Sequence, residues 1–354
     1  MARPLVSICV PTRNRAASLR ATIENLRAQD YSPLEILISD NCSDDDTEQV
    51  CREGTDRDAR IRYVRQPRNI GLHGNHNFCL DAGQGEYLCI CHDHDLRDPG
   101  IVSEYVAFLE HHPRVGVVCA DWELIDDSGQ RIGIRDYHVK AVTPGLEYID
   151  QTMRSGQSAV AIAGAMVRRS ALGDIRFVLD APIGFGDFPI WLQMAETCDV
   201  GHISRRLWSW RQNWASLSAR PIEAIARDYE HNIGRYCDEH LRRWPQHADR
   251  VQQWRANMRR YLFWALAYEV GLHFRDEPSR GELRPTRSLF EIMNYRLTPE
   301  QFESALTQMK RYRAGPLPYA TFAAVRALIQ FRMTRPLAWV TRHRSTVRTL
   351  LGLR

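Results

Sequence analysis

The chain has 354 residues, 44% hydrophobic and 25% charged, with a formal net charge of +4. That composition is globular and excludes a disordered or collagen-like chain. Apolar runs such as "AVAIAGAMV" (159–167) fall short of the roughly 20 residues a spanning helix needs.

The first 120 residues alternate two periodicities. "LVSICV" (5–10) reads as a strand, and "ASLRATIENLRAQ" (17–29) as a helix with Leu19, Ile23 and Leu26 on one face. "LEILIS" (34–39), "RIRYVR" (60–65), "EYLCIC" (86–91) and "VGVVCA" (115–120) continue the strands. "DDTEQVCREG" (45–54), "GNHNFCLDAG" (74–83) and "DPGIVSEYVAFLEHHP" (98–113) supply the helices between them. From 121 to 219 the pattern is mixed, with a further strand expected at 159–167 and a helix over "FPIWLQMAE" (188–196). From 220 onward helical signals dominate, as in "RANMRRYLFWALAYEVGLHF" (255–274). The expectation is an α/β domain over 1–219, with a mostly parallel sheet covered on both faces, and a helical region over 220–354.

In such sheets ligands bind beyond the carboxyl ends of the strands. "PTRNR" (11–15), "DNCSDDDT" (40–47), "QPRNIGLHGNHN" (66–77) and "HDHD" (92–95) each follow a strand and should gather at one edge. Asp93 and Asp95 flank one residue, a spacing that suits a hard divalent cation, Mn2+ or Mg2+, with positions left for phosphate oxygens. Cys89 and Cys91 with the two histidines are too crowded for a structural zinc site; buried inert thiols are the ordinary reading. Nine cysteines without framework spacing and no export-type leader point to a reducing cytosol. No Gly-Lys pair exists for a Walker loop, and no Gly-x-Gly-x-x-Gly follows the first strand. Asp40 could accept the N3–H of uracil or thymine; an Asx turn or helix cap is the alternative.

"VSICVPTRNR" (6–15), "EILISDNCSDDDT" (35–47), "RNIGLHGNHN" (68–77) and "GEYLCICHDHD" (85–95) together resemble the family 2 glycosyltransferases. These are inverting enzymes of the Rossmann-like GT-A fold that use nucleotide-diphospho-sugars. The resemblance covers roughly residues 4–220. It implies that Pro11, Thr12, Arg13, Asp40, Asn69, Gly71 and Asp93 surround the nucleotide, with Thr12 and Asp40 on the base. Arg13 stands where the family has Tyr. It further implies that Asp93 and Asp95 form the DxD pair on the metal, with His94 pointing away or behind the ligands. Asp187 in "GFGDFPIWLQMAE" (184–196) matches the catalytic base, with Gly186 in place of the family's Glu; its alternative is a helix N-cap. Asp121, at a strand end, is a weaker rival for the base. "SWRQNWASLSA" (209–219) resembles the family's closing motif, where Arg211 matches the Arg and Asn213 replaces the His. Arg211 and Asn213 are thereby candidates for the diphosphate or acceptor, as is Trp122, whose alternative is core packing.

The resulting expectation is transfer of a sugar from a UDP- or dTDP-linked donor to a hydroxyl of a glycan or polyprenyl-linked glycan, in bacterial O-antigen or capsule synthesis. The rivals are a sugar nucleotidyltransferase, whose glycine-rich loop "PTRNRAAS" lacks, and a non-catalytic carbohydrate-binding or assembly protein. Residues 310–354 hold ten Lys or Arg and no Asp or Glu, which suits an anionic membrane surface. The chain is therefore expected in the cytoplasm, peripheral at the inner face of the membrane, with no nucleic acid partner and with a homo-oligomer left open.

Overall fold

The computed structural model describes residues 3–211 and 222–273. They fall into two compact units: one runs to Gln151 and resumes at Ser158, the other holds Thr152–Gln157 and the helices from residue 222. The expected division at 219/220 and the basic stretch 310–354 lie outside the described residues.

The first unit is built on one mixed sheet. β1 (Val6–Thr12), β2 (Leu34–Asp40), β3 (Ile61–Arg65) and β4 (Tyr87–Ile90) lie in the order β3-β2-β1-β4, all parallel. All seven residues of β1 and all four of β4 are buried, as continuous apolar runs are when helices cover both faces. α1 (Ala16–Arg27) buries Leu19, Ile23 and Leu26, the face its periodicity set out. α2 (Thr47–Arg57) and α3 (Gly71–Ala82) link the next strands. After β5 (Leu96–Arg97) and α4 (Ile101–His111) comes β6 (Val115–Ile125). β7 (Arg131–Arg135) folds back on β6, and β8 (Val142–Thr143) precedes α5 (Gly145–Ser155). β9 (Met166–Arg168) lies antiparallel between β4 and β6, α6 (Arg169–Leu172) and α7 (Phe188–Met194) follow, and β10 (Asp199–Arg211) returns parallel to β6. β5 pairs antiparallel with β10.

Two elements differ from expectation. The run 159–167 is a 3-10 turn at Ile162–Gly164, and only its end joins β9. Its carbonyls are taken by side chains instead of a ladder: Tyr105 Oη donates to Gly164 O at 2.7 Å, and Arg97 Nη2 donates to Ala163 O. Gly164 also lies against Trp208, where a Cβ would approach the indole to 2.1 Å. β10 lacks a clean strand signature because its pairing with β6 shifts register around Arg206, leaving Ser204, Arg205 and Arg206 exposed.

In the second unit, α8 (Ile222–Arg243) and α9 (Ala248–His273) pack through buried aromatic residues. Tyr229 meets Tyr261 at 5.1 Å, and Trp254 meets His240 edge-on at 4.8 Å. The helix expected at 255–274 falls in α9.

Candidate functional site

Parallel register sets the edge. Thr12 lies opposite Asp40, and Asp40 opposite Arg65. The loops beyond these strand ends are stitched together. Asn14 N donates to Ser43 Oγ at 2.9 Å, and Asp44 N donates to Asn14 Oδ1 at 3.0 Å. Asn41 Nδ2 donates to Asn69 Oδ1 at 2.9 Å, while Asn41 Oδ1 accepts the N–H of Ile70 at 2.8 Å. Asn14, Cys42 and Phe185 hold left-handed backbone, with φ of 54°, 62° and 57°. Such conformations disfavour side chains and concentrate at ligand sites.

Pro11 is buried and Arg13 exposed. Thr12 directs its hydroxyl sideways, donating from Oγ1 to Asp93 Oδ2 at 2.7 Å. Asp40 is fully buried; its Oδ1 accepts the N–H and hydroxyl of Ser43 at 2.9 and 2.6 Å. Its Oδ2 accepts the Tyr63 hydroxyl at 2.9 Å, and burial together with this carboxylate raises the Tyr63 phenol above its usual range. Asp40 thus spends both oxygens within the fold, one on Ser43 three residues on and one on Tyr63. Asn69 accepts from Gly71 N at 2.9 Å, and Gly71 takes a φ of +78°, which glycine adopts at no steric cost.

The "HDHD" loop leaves β4 directly: Cys91 N donates to Cys9 O at 2.8 Å, extending the β1–β4 pairing by one step. Cys89 and Cys91 are buried, and burial pushes the Cys89 thiol up to about 12 and raises Cys91 as well. Both are inert thiols, as read. Asp93 spends its second oxygen on a neighbour: His94 Nδ1 donates to Asp93 Oδ1 at 2.9 Å. Burial opposes the charge on His94, but that hydrogen bond and the charges of Asp95 and Asp93 outweigh it and raise its pKa. Asp95 is 1% exposed; its Oδ1 accepts the backbone N–H of Arg211 at 3.0 Å, and its Oδ2 has no hydrogen-bond partner. His92 Nδ1 stands 3.3 Å from that oxygen, and His94 Nε2 stands 3.8 Å from Asp95 Oδ1. One ligand atom each from His92, His94 and Asp95 lie within 4.8 Å of one another. His94 therefore does not point away, and Asp93 lies outside the convergent group. An orphaned buried carboxylate oxygen beside two imidazoles fits a divalent cation.

Asp187 opens α7 without capping it; instead Trp191 Nε1 donates to Asp187 Oδ2 at 3.1 Å. Burial raises the Asp187 pKa, while the Trp191 hydrogen bond, backbone donors and His92 partly offset the shift. The loop leading to it is held by α3. Asn77 and Phe177 exchange two hydrogen bonds of 2.8 Å, and His73 Nδ1 donates to Val178 O at 2.9 Å. Phe177 stacks on His73 and His76 at 5.5 and 5.1 Å. Burial, with His92 and His73 nearby, lowers His76 to about 3, so this ring is neutral. A Cβ at Gly186 would meet His73 Nε2 at 2.8 Å, so the missing Glu and the fixed His73 belong together.

Asp121, buried within β6 and not at its end, is held by His202 Nε2 at 2.9 Å and Tyr137 N at 2.7 Å. Trp122 is 5% exposed and packs on Trp208 and Trp210, each at 5.4 Å, in the core. The Arg211 side chain clasps backbone: Nε donates to His94 O at 3.1 Å, and Nη1 to Asp126 O and Asp127 O at 2.8 and 2.9 Å. Asn213 lies outside the described residues. Sequence reasoning missed Asn41, Ser43, Tyr63, Trp191 and the converging role of His92 and His94. Only the histidines carried a signal, as neighbours of the aspartates.

Residues 7–176 match the family model described as Glycosyl transferase family 2. That stretch, just under half of the chain, is therefore a domain of the glycosyltransferase family 2 type. The chain is 28% identical over 251 residues to an uncharacterized protein of Sinorhizobium fredii, covering 68% of this chain and 26% of that protein. It is 39% identical over 101 residues to a GalNAc(5)-diNAcBac-PP-undecaprenol beta-1,3-glucosyltransferase of Campylobacter jejuni, covering 28% of this chain and 33% of that one. The matched stretches thus span 26% and 33% of these curated relatives. Among solved structures, TarS 1-349 of S. aureus in complex with UDP-GlcNAc superposes with a TM-score of 0.57 at 16% identity, covering 87% of this chain and 81% of that one. The mannosyltransferase PcManGT of Pyrobaculum calidifontis in complex with GDP-Man and Mn2+ superposes with a TM-score of 0.54 at 18% identity, covering 100% and 89%. At these identities the likeness establishes the fold, the GT-A arrangement of a central sheet flanked by helices.

Proposed function

We propose that the protein is a metal-dependent inverting glycosyltransferase that moves a sugar from a nucleotide-diphospho-sugar to a hydroxyl of a glycan or lipid-linked glycan. The observation that carries this reading is the convergence of His92, His94 and Asp95 at the carboxyl edge of a family 2-type domain, with Asp187 near enough to His92 to feel its charge. The raised pKa of Asp187 suits a general base, which needs proton affinity near the working pH. Asp187 takes the proton from the acceptor hydroxyl as that oxygen attacks the anomeric carbon; a single displacement inverts the centre. The loops that Asn41 and Asn14 tie together form the wall against which the nucleotide lies. Residues of the "HDHD" loop would hold a divalent cation, which would supply charge stabilisation to the departing diphosphate.

A UDP- or dTDP-linked donor is the favoured substrate. The related structures name UDP-GlcNAc in one case and GDP-Man in the other, so base choice rests on the loops of this chain. Residues 220–354 are assigned to the acceptor, to a second copy or to a membrane surface. No helix of the described residues is long and apolar enough to cross a membrane. A role in surface polysaccharide synthesis, at the inner face of the membrane, is supported by the lipid-linked substrate in the name of the Campylobacter relative.

The test is Asp187→Asn. Transfer should fall by at least about a hundredfold, while calorimetric binding of UDP with Mn2+ is retained. An unchanged rate removes Asp187 from the mechanism. Failure of UDP, dTDP and GDP alike to bind returns the protein to the non-catalytic reading.

A further inference from the structure

We propose that His92, His94 and Asp95, rather than the Asp93–Asp95 pair, hold the cation, and that Asp93 acts behind them by orienting His94. The diphosphate that shares this cation rests on the glycosyltransferase reading; the ligand set does not.

Asp93 has no oxygen turned to the convergent point. Its Oδ2 accepts from Thr12 at 2.7 Å, and its Oδ1 accepts from His94 Nδ1 at 2.9 Å. The second bond fixes the tautomer. With the proton on Nδ1, the Nε2 lone pair of His94 is free to bind a metal. Metal-bound histidines ordinarily have their other ring nitrogen held by a carboxylate in this way. Thr12, Asp93 and His94 thus form a relay from the end of β1 to the cation.

Asp95 supplies the anchor. The backbone N–H of Arg211 holds its Oδ1 at 3.0 Å, and its buried Oδ2 has no hydrogen-bond partner. A cation with ligands at about 2.1 Å places neighbouring donor atoms about 3.0–3.4 Å apart. The separations of 3.3 Å for His92 Nδ1 to Asp95 Oδ2 and 3.8 Å for His94 Nε2 to Asp95 Oδ1 are near that spacing. The His92 and His94 rings stack, with centroids 5.6 Å apart and planes inclined by 22°, which keeps the two imidazoles next to each other.

The chemistry differs from that of two carboxylates. Paired carboxylates accept Mg2+ and Mn2+ with little distinction, whereas two imidazoles with one carboxylate favour borderline transition cations and bind Mg2+ poorly. The protein is therefore a Mn2+-, Co2+- or Zn2+-selective member of its fold, not a Mg2+ one.

Pulsed EPR on the full chain loaded with Mn2+, alone and with UDP, tests this directly. The expected result is nitrogen coupling from directly bound imidazole, with roughly a hundredfold excess of Mg2+ leaving the signal in place. His92→Gln and His94→Gln should each reduce the coupling and weaken Mn2+ binding. Asp93→Asn should keep the coupling while weakening Mn2+ by about 10- to 100-fold. Bound Mn2+ without nitrogen coupling, or no bound Mn2+ at all, overturns the proposal. So does an Asp93→Asn chain that loses Mn2+ while His94→Gln keeps it. The wild-type spectrum decides even where a variant fails to fold. Calorimetry of UDP in the presence of Mn2+ separates the two readings. UDP binding without nitrogen coupling sinks the ligand set alone; nitrogen coupling without any nucleotide binding sinks the transferase alone.

Discussion

Burial raises the proton affinity of Asp187, and the indole N–H of Trp191, 3.1 Å away, opposes that shift. Two consequences have opposite signs. A carboxyl whose folded pKa exceeds its unfolded value stabilises the fold while protonated, and that contribution is lost as pH rises through the raised pKa. The proposed base role needs the carboxylate, so kcat/KM should rise with pH through the same window, above the ordinary aspartate range. Trp191→Phe removes the donor that favours the charged form. The acid limb of kcat/KM should then move to higher pH, with Mn2+ binding unchanged; a limb that stays in place or moves down refutes the assignment. Asp40 belongs to the fold as much as to any ligand. Asp40→Ala strands the Ser43 and Tyr63 donors and should cost about 1–3 kcal/mol in denaturant unfolding. Residue type and position singled out Asp40 and Asp187 in the sequence. Trp191, Tyr63 and Ser43 were not, because their roles arise from side-chain directions that no local pattern records.

β10 carries its consequence at its last residue. The guanidinium of Arg211 joins the carbonyl of His94 to those of Asp126 and Asp127, so the "HDHD" loop is held to the turn after β6. Arg211→Ala should lower stability by about 1–3 kcal/mol and weaken Mn2+ binding, read by denaturant unfolding and EPR titration. Arg211→Lys should rescue little, since a point charge cannot span three carbonyls that a planar fork reaches. Neither effect would follow if Arg211 only contacted substrate. The element itself was illegible: a register shift at Arg206 breaks the alternation on which strand reading depends. The apolar run 159–167 misled in the other direction, because hydrophobicity reports burial and Gly164 is buried against Trp208 without being a strand. β1, β2 and β4 were plain because each is short, apolar and buried throughout or nearly so.

At the scale of the whole molecule, the alternation of strand and helix over the first 120 residues was enough to bring four polar loops to one edge, since parallel strands send every carboxyl end the same way. What alternation could not reveal was how the loops join there; those joints are single side-chain hydrogen bonds, such as Asn41 to Asn69 and Thr12 to Asp93. The bond between Thr12 and Asp93 spans 81 positions of sequence and connects the side of the edge proposed for the nucleotide to the side proposed for the cation. Two ligands that meet through such a joint are thermodynamically linked. Whatever factor the cation adds to nucleotide affinity, the nucleotide must add to cation affinity. Thr12→Val should shrink both factors equally, measured as a four-cornered calorimetric cycle of UDP and Mn2+ on each protein. Donor and metal would then arrive as one cooperative event, and an enzyme short of either would remain largely empty of both.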